Sequence, residues 1–126
     1  MESPGEATIL VVDDQQPLLD LLASFLTRLG YQVETCVAAE EALRRFRERP
    51  SSYALVLTDA NMPDMSGQEL ITRVTELSPR VRAVLTSGGP IRMPELPPDQ
   101  ACRVRFLQKP YVPSQLAQAV TALLES

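Results

Sequence analysis

The chain has no histidine, no tryptophan and only two cysteines among its 126 residues. Without histidine there is no imidazole base, no Ser-His-Asp or Cys-His catalysis and no zinc–histidine site. Cys36 and Cys102 show no metal-ligand spacing, and a reduced, cytoplasmic compartment is the expected setting. No apolar run approaches the ~20 residues of a membrane helix. The opening MESPGEA lacks a basic region and an apolar region, so no signal peptide is expected. Clustered positive charge is missing too. Net charge is −4, and Arg44, Arg45, Arg47 and Arg49, interrupted by Glu48, read as one solvated helix face. Contact with nucleic acid or with a membrane is therefore not expected.

What remains is a balanced composition, 44% hydrophobic and 22% charged, which suits one compact domain. Residues 1–6 are expected to form a loose tail and 7–126 the domain. Ile9-Leu10-Val11-Val12, Ala54-Leu55-Val56-Leu57 and Ala83-Val84-Leu85 are short apolar runs, as in strands buried on both faces of a parallel sheet. Tyr31-Gln32-Val33-Glu34-Thr35 and Val104-Arg105-Phe106-Leu107-Gln108 mix polar and apolar positions, as edge strands do. Between them, helical spacing links Leu18, Leu21, Leu22, Phe25, Leu26 and Leu29, with Pro17 in the first turn and Gly30 as the stop. Similar stripes join Ala39, Ala42, Leu43 and Phe46, then Leu70, Ile71, Val74 and Leu77, then Leu116, Ala119, Val120 and Leu123. This alternation predicts an α/β fold: a doubly wound, flavodoxin-like, five-stranded parallel sheet in the order 2-1-3-4-5. Pro90, Pro94, Pro97 and Pro98 crowd the fourth crossover, and a proline within a helix costs ~3 kcal/mol or more. A shortened or irregular fourth helix, one turn at most, is predicted there.

The polar residues fall at the carboxyl ends of these strands. Asp13-Asp14 follows the first, Asp59 ends the third, Thr86 the fourth, and Lys109-Pro110 follows the fifth. In open α/β sheets that crevice is where ligands bind. Three carboxylates brought together either share a proton or hold a cation between them. Oxygen ligands without histidine or cysteine select Mg²⁺ or a similar hard ion. Asp59 can then act as a nucleophile toward a phosphoryl group, with Lys109 and the Thr86 hydroxyl pairing with its oxygens.

Together V-V-D-D (11–14), L-T-D-A-N-M-P-D-M-S-G (57–67), L-T-S-G (85–88) and F-L-Q-K-P (106–110) resemble the receiver domains of two-component response regulators, from about Thr8 to Leu124. The resemblance implies that Asp59 is the phosphoacceptor, that Asp14, Asp59 and the carbonyl of Asn61 ligate Mg²⁺, and that Asp13 acts mainly through water. It implies a cis bond between Lys109 and Pro110, phosphoryl contacts from Lys109 and Thr86, and a switch pair of Thr86 and Phe106. Ser87, being small, leaves the pocket open to a donor. That donor would be a phosphohistidine on a separate kinase or histidine phosphotransfer domain. The Leu-Thr-Ser-Gly-Gly run and the short fourth helix are similar to receivers of hybrid sensor histidine kinases, so an attached kinase or output domain outside this chain is one arrangement and a stand-alone regulator the other.

Each of these residues has a plainer reading when taken alone. Asp13-Asp14 can cap a helix, Thr86 and Phe106 can be strand packing, and Met62-Pro63-Asp64 can be only a turn. Gly67 supplies loop flexibility or a close backbone approach, Ser66 an N-cap, and Met62, Met65 and Met93 packing. Cys36 and Cys102 fall at opposite edges of the sheet, four spacings of ~4.8 Å apart, against a disulfide limit of ~7 Å. Both are expected as free thiols. Among rival functions, a haloacid-dehalogenase-like phosphatase needs a second Asp as general acid where Asn61 stands. A flavodoxin-like cofactor module needs a phosphate loop where Asp13-Asp14 would repel the ligand. A degenerate receiver kept only for docking lacks an acid, the lysine or the threonine, and none is missing.

Overall fold

The computed structural model describes residues 8–125; the expected tail, residues 1–6, lies outside them. Five strands, β1 (Thr8–Val12), β2 (Gln32–Cys36), β3 (Tyr53–Asp59), β4 (Arg82–Ser87) and β5 (Val104–Gln108), alternate with helices α1 (Gln16–Arg28), α2 (Ala39–Glu48), α3 (Gly67–Leu77), α4 (Pro98–Ala101) and α5 (Pro113–Glu125). All pairings are parallel, in the order β2-β1-β3-β4-β5. This is the doubly wound arrangement anticipated from the apolar runs, with the two mixed-polarity strands at the edges.

The period of two along each inner strand sorts the core into two layers. Ile9, Val11, Leu55 and Leu57 pack against Leu19, Leu22 and Leu26 of α1 and Leu116, Val120 and Leu123 of α5. Leu10, Val12 and Val56 face the other way, onto Ala42, Leu43 and Phe46 of α2 and Leu70 and Val74 of α3. Side chains this thoroughly buried stabilise the fold by about 1.5–3 kcal/mol each.

Helix α1 ends as its sequence indicated. Gly30, at φ 102°, turns the chain, and the amides of Gly30 and Tyr31 close back on the carbonyls of Thr27 and Leu26. Only glycine adopts that conformation without strain. The buried stripe of α1 differs from the predicted one. Leu19 is fully buried, whereas Leu21 is 66% exposed and Leu29 43% exposed. Five leucines and a phenylalanine, with Leu29 just past its end, give this helix more apolar residues than one face holds, so spacing alone did not select the inward set.

Helix α4 is a single turn, as the prolines require. In its place Ile91, Leu96 and Val104 cover a small cluster of Ala60, Ile71, Ala83 and Leu85. Met62 is buried and Met65 packs beside it, but Met93 is 39% exposed and not core packing as expected. Cys36 is buried, Cys102 exposed, and both are free. Arg44 and Arg45 of α2 and Arg49 just after it pair with Glu34, Glu41 and Glu48 in a largely exposed network, of the kind that contributes little net stability. No helix among the described residues is long and apolar enough to cross a membrane.

Candidate functional site

Parallel strands put their carboxyl ends on one rim, and the connections leaving that rim carry the polar residues. Asp13 is anchored just past β1 by its amide, which donates to the Cys36 carbonyl at 3.1 Å. Its carboxylate turns inward, 3% of the residue remaining exposed, and accepts from the Gln15 amide at 3.0 Å. Asp59 closes β3 opposite Thr86 of β4. One carboxylate oxygen from each of Asp13, Asp14 and Asp59 lies within 4.8 Å of the others. The Lys109 ammonium stands 3.6 Å from Asp13 and 3.6 Å from Asp59, and the Lys109–Pro110 peptide is cis.

At an effective dielectric of about 20, each carboxylate pair repels by about 3–4 kcal/mol, while Lys109 attracts Asp13 and Asp59 by about 4–5 kcal/mol each. One ammonium thus falls short of balancing three acids. Burial raises the Asp13 carboxyl pKa above its ordinary value. The Gln15 amide and Lys109 oppose that rise, and the Asp59 and Asp14 charges add to it. Burial also raises the Tyr111 hydroxyl, helped by Asp13 and Asp59, which places that ring at the edge of the same field. Hard oxygen donors with uncompensated negative charge fit a divalent cation such as Mg²⁺.

A stability prediction follows from this repulsion. In metal-free buffer Asp13→Asn should raise unfolding stability by about 1–2 kcal/mol, because it removes two repulsions and one weaker-summed attraction. The added stability from Mg²⁺ should shrink in the same variant. The sign with pH is definite. A folded pKa above the unfolded 3.8 means the native state binds more protons between the two values, so metal-free stability falls as pH rises through that window. Denaturant melts across pH should show this slope in the native chain and a flatter one in Asp13→Asn.

The other predicted residues have distinct placements. The Asn61 amide reaches the Asp59 carboxylate at 3.4 Å, leaving its carbonyl unconstrained by that bond. Thr86 is buried, and its carbonyl accepts from Ala60 at 2.8 Å. Ser87 is buried beside it; its carbonyl accepts from the Lys109 amide, and its hydroxyl accepts from the Gly89 amide at 3.2 Å. Phe106 pairs in register with Leu85 and is 37% exposed on the edge strand. Ser66 caps α3 by accepting from Glu69, as its position suggested. Gly67 makes a close backbone approach: a Cβ there would collide with the Asp59 carbonyl oxygen. Two features were missed in the sequence. One is Asp64, which reaches the amides of Ala39 and Glu40. The other is a groove of about 890 Å³ beside Lys109, lined by Leu18, Leu21, Phe25, Tyr111 and Pro113. The surplus of leucines in α1 was the available signal for the groove.

Residues 9–121 match the family model described as response regulator receiver domain. The chain is 46% identical over 72 residues to the two-component response regulator ARR11 of Arabidopsis thaliana, a stretch covering 57% of this chain and 14% of that protein. It is 30% identical over 123 residues to the sensor kinase CckA of Brucella abortus, covering 96% of this chain and 13% of that one. The response regulator receiver protein of Sinorhizobium medicae superposes with a TM-score of 0.82 at 26% identity, each chain covered to 98%. The chain thus spans well under a third of the length of the curated relatives it matches.

Proposed function

Because the chain belongs to the response regulator receiver domain family, we propose that it accepts a phosphoryl group on Asp59 from a phosphohistidine donor and switches conformation in response. The observation that carries this reading is the three-carboxylate cluster with Lys109 3.6 Å from Asp59. An Asp59 carboxylate oxygen attacks phosphorus, the new P–O bond forms, and the P–N bond to the donor imidazole breaks with its electron pair leaving on nitrogen. Bound Mg²⁺, held by Asp13, Asp14, Asp59 and the Asn61 carbonyl, would supply positive charge against the acids and the phosphoryl oxygens. Lys109 pairs with those oxygens as a point charge, and the Thr86 hydroxyl turns to donate to them. Ser87 keeps the approach narrow-walled but open. Thr86 and Phe106 form the switch, which shifts a pre-existing equilibrium; the partial exposure of Phe106 on the edge strand is compatible with this role.

The chain has no histidine of its own, so the donor is a histidine kinase or histidine phosphotransfer domain. The match to a sensor kinase over 96% of this chain supports an attached kinase. The free thiols suit the cytoplasm. We read the domain as a stoichiometric acceptor and not a turnover enzyme. With Mg²⁺ and acetyl phosphate, one phosphoryl group per chain should appear by mass spectrometry and vanish with hydroxylamine, as an acyl phosphate does. Continuous release of inorganic phosphate at many turnovers, or uptake indifferent to chelator, would count against the reading.

The apolar groove beside Lys109 is a seat for the donor protein. Leu21→Glu should lower transfer from the kinase roughly ten-fold, equivalent to ~1.4 kcal/mol of docking energy. Uptake from acetyl phosphate, which needs no docking, should stay unchanged. Equal slowing with both donors would disconnect the groove from the donor.

A further inference from the structure

The first turn of α2 has no cap of its own. Ala38 holds the N-cap position with extended backbone and no side-chain acceptor. The acceptors come instead from Asp64, whose two carboxylate oxygens take the amides of Ala39 at 3.2 Å and Glu40 at 2.8 Å. Burial is the largest single influence on the Asp64 carboxyl and raises its pKa, but the amides of Glu40, Ala39, Asp64 itself and Met65 together outweigh it and lower the pKa below its ordinary value. Capping of this kind satisfies amides that a helix leaves unpaired. Here the cap comes from a loop 24 or 25 residues further along the chain.

That loop is the segment joining Asp59 to α3. Its ends are already tied: Ala60 donates to Thr86, Gly67 donates to Ala60, and Ser66 caps α3. Between them Met62 is buried in the cluster that includes Ala39, Ala42 and Leu43. Asp64 adds the polar tie on the same helix. We infer that Asp64 is a positioning residue: by joining the β3–α3 loop to the N-terminus of α2, it sets the backbone at Asn61, whose amide reaches the Asp59 carboxylate at 3.4 Å and whose carbonyl the proposed function assigns to the cation. The inference rests on the proposed role of that carbonyl in holding Mg²⁺.

The test separates positioning from simple helix stabilisation. Mg²⁺ affinity, by amide NMR titration, and acetyl phosphate uptake are measured with thermal melts for the native chain, Asp64→Ala, Asp64→Asn and the double variant Ala38→Ser/Asp64→Ala. The serine gives α2 a local cap but does not rejoin the loop. Asp64→Ala should bind Mg²⁺ roughly ten-fold more weakly, as for other residues that orient metal ligands. Asp64→Asn, which keeps an acceptor oxygen, should fall between. The double variant should recover the melting temperature and not the affinity. Native Mg²⁺ affinity in Asp64→Ala, or recovery of affinity along with stability in the double variant, overturns the inference. If Asp64→Ala does not fold, the double variant and Asp64→Asn decide it. Failure of the phosphoacceptor reading shows separately, as no uptake by the native chain, and Mg²⁺ affinity then judges the tie alone.

Discussion

Asp59→Asn is expected to abolish phosphoryl uptake while leaving the fold intact, the largest chemical effect available from one substitution. An amide oxygen has neither the charge nor the basicity of a carboxylate, so it does not form the acyl phosphate on which the reading depends. The change is nearly isosteric, and it relieves repulsion from Asp13 and Asp14, whose oxygens lie within 4.8 Å of the Asp59 carboxylate. It also removes one of the two acids beside Lys109, so the effects on stability oppose each other. Uptake by the variant should be undetectable with acetyl phosphate and with a kinase donor alike, at native circular dichroism. A modification of equal stoichiometry in Asp59→Asn would move the acceptor elsewhere.

The second large effect is structural. Gly67→Ala should destabilise the protein by about 3 kcal/mol or more, at the upper end of overpacking penalties. The added methyl would collide with the Asp59 carbonyl oxygen, lie 2.8 Å from a Leu85 methyl and sit 3.0 Å from the Ala60 Cα. A flexible side chain can step aside, but two of these three neighbours are backbone, of Asp59 at the end of β3 and of the residue that follows it. Gly67 is also the first residue of α3 and donates to the Ala60 carbonyl, so the strand end, loop and helix converge there. Urea unfolding should show the loss as a lowered midpoint with an unchanged slope. A loss below about 1 kcal/mol would mean that the loop yields more readily than its contacts indicate.

Much of this architecture could be read from residue order, for particular physical reasons. The runs at Ile9, Ala54 and Ala83 have no polar break because both their faces are covered, and the mixed strands are mixed because theirs are not. Strand ends are visible in sequence, so the convergence of Asp13, Asp14, Asp59, Thr86 and Lys109 followed from topology alone. The inward face of α1 did not, since nearly every turn of that helix offers leucines on more than one side. Asp64 escaped notice for a different reason. Capping signals are sought within a few residues of a helix start, and this one comes from beyond the next strand. At Gly67 the residue type suggested either freedom or closeness, and only the neighbouring carbonyl decides for closeness.

The single turn of α4 has a consequence for how this protein yields. Residues 88–97 lack helical backbone bonding, and the turn after them rests on a few closures such as Ala101 to Pro97 and Cys102 to Pro98. Segments so thinly bonded open at far lower free energy than the global transition. Exchange of solvent deuterium should therefore be quickest along this stretch, immediately downstream of Thr86, while β4 itself stays protected. A disturbance at the strand tip has only a hinge of loosely held chain to displace before it reaches the surface.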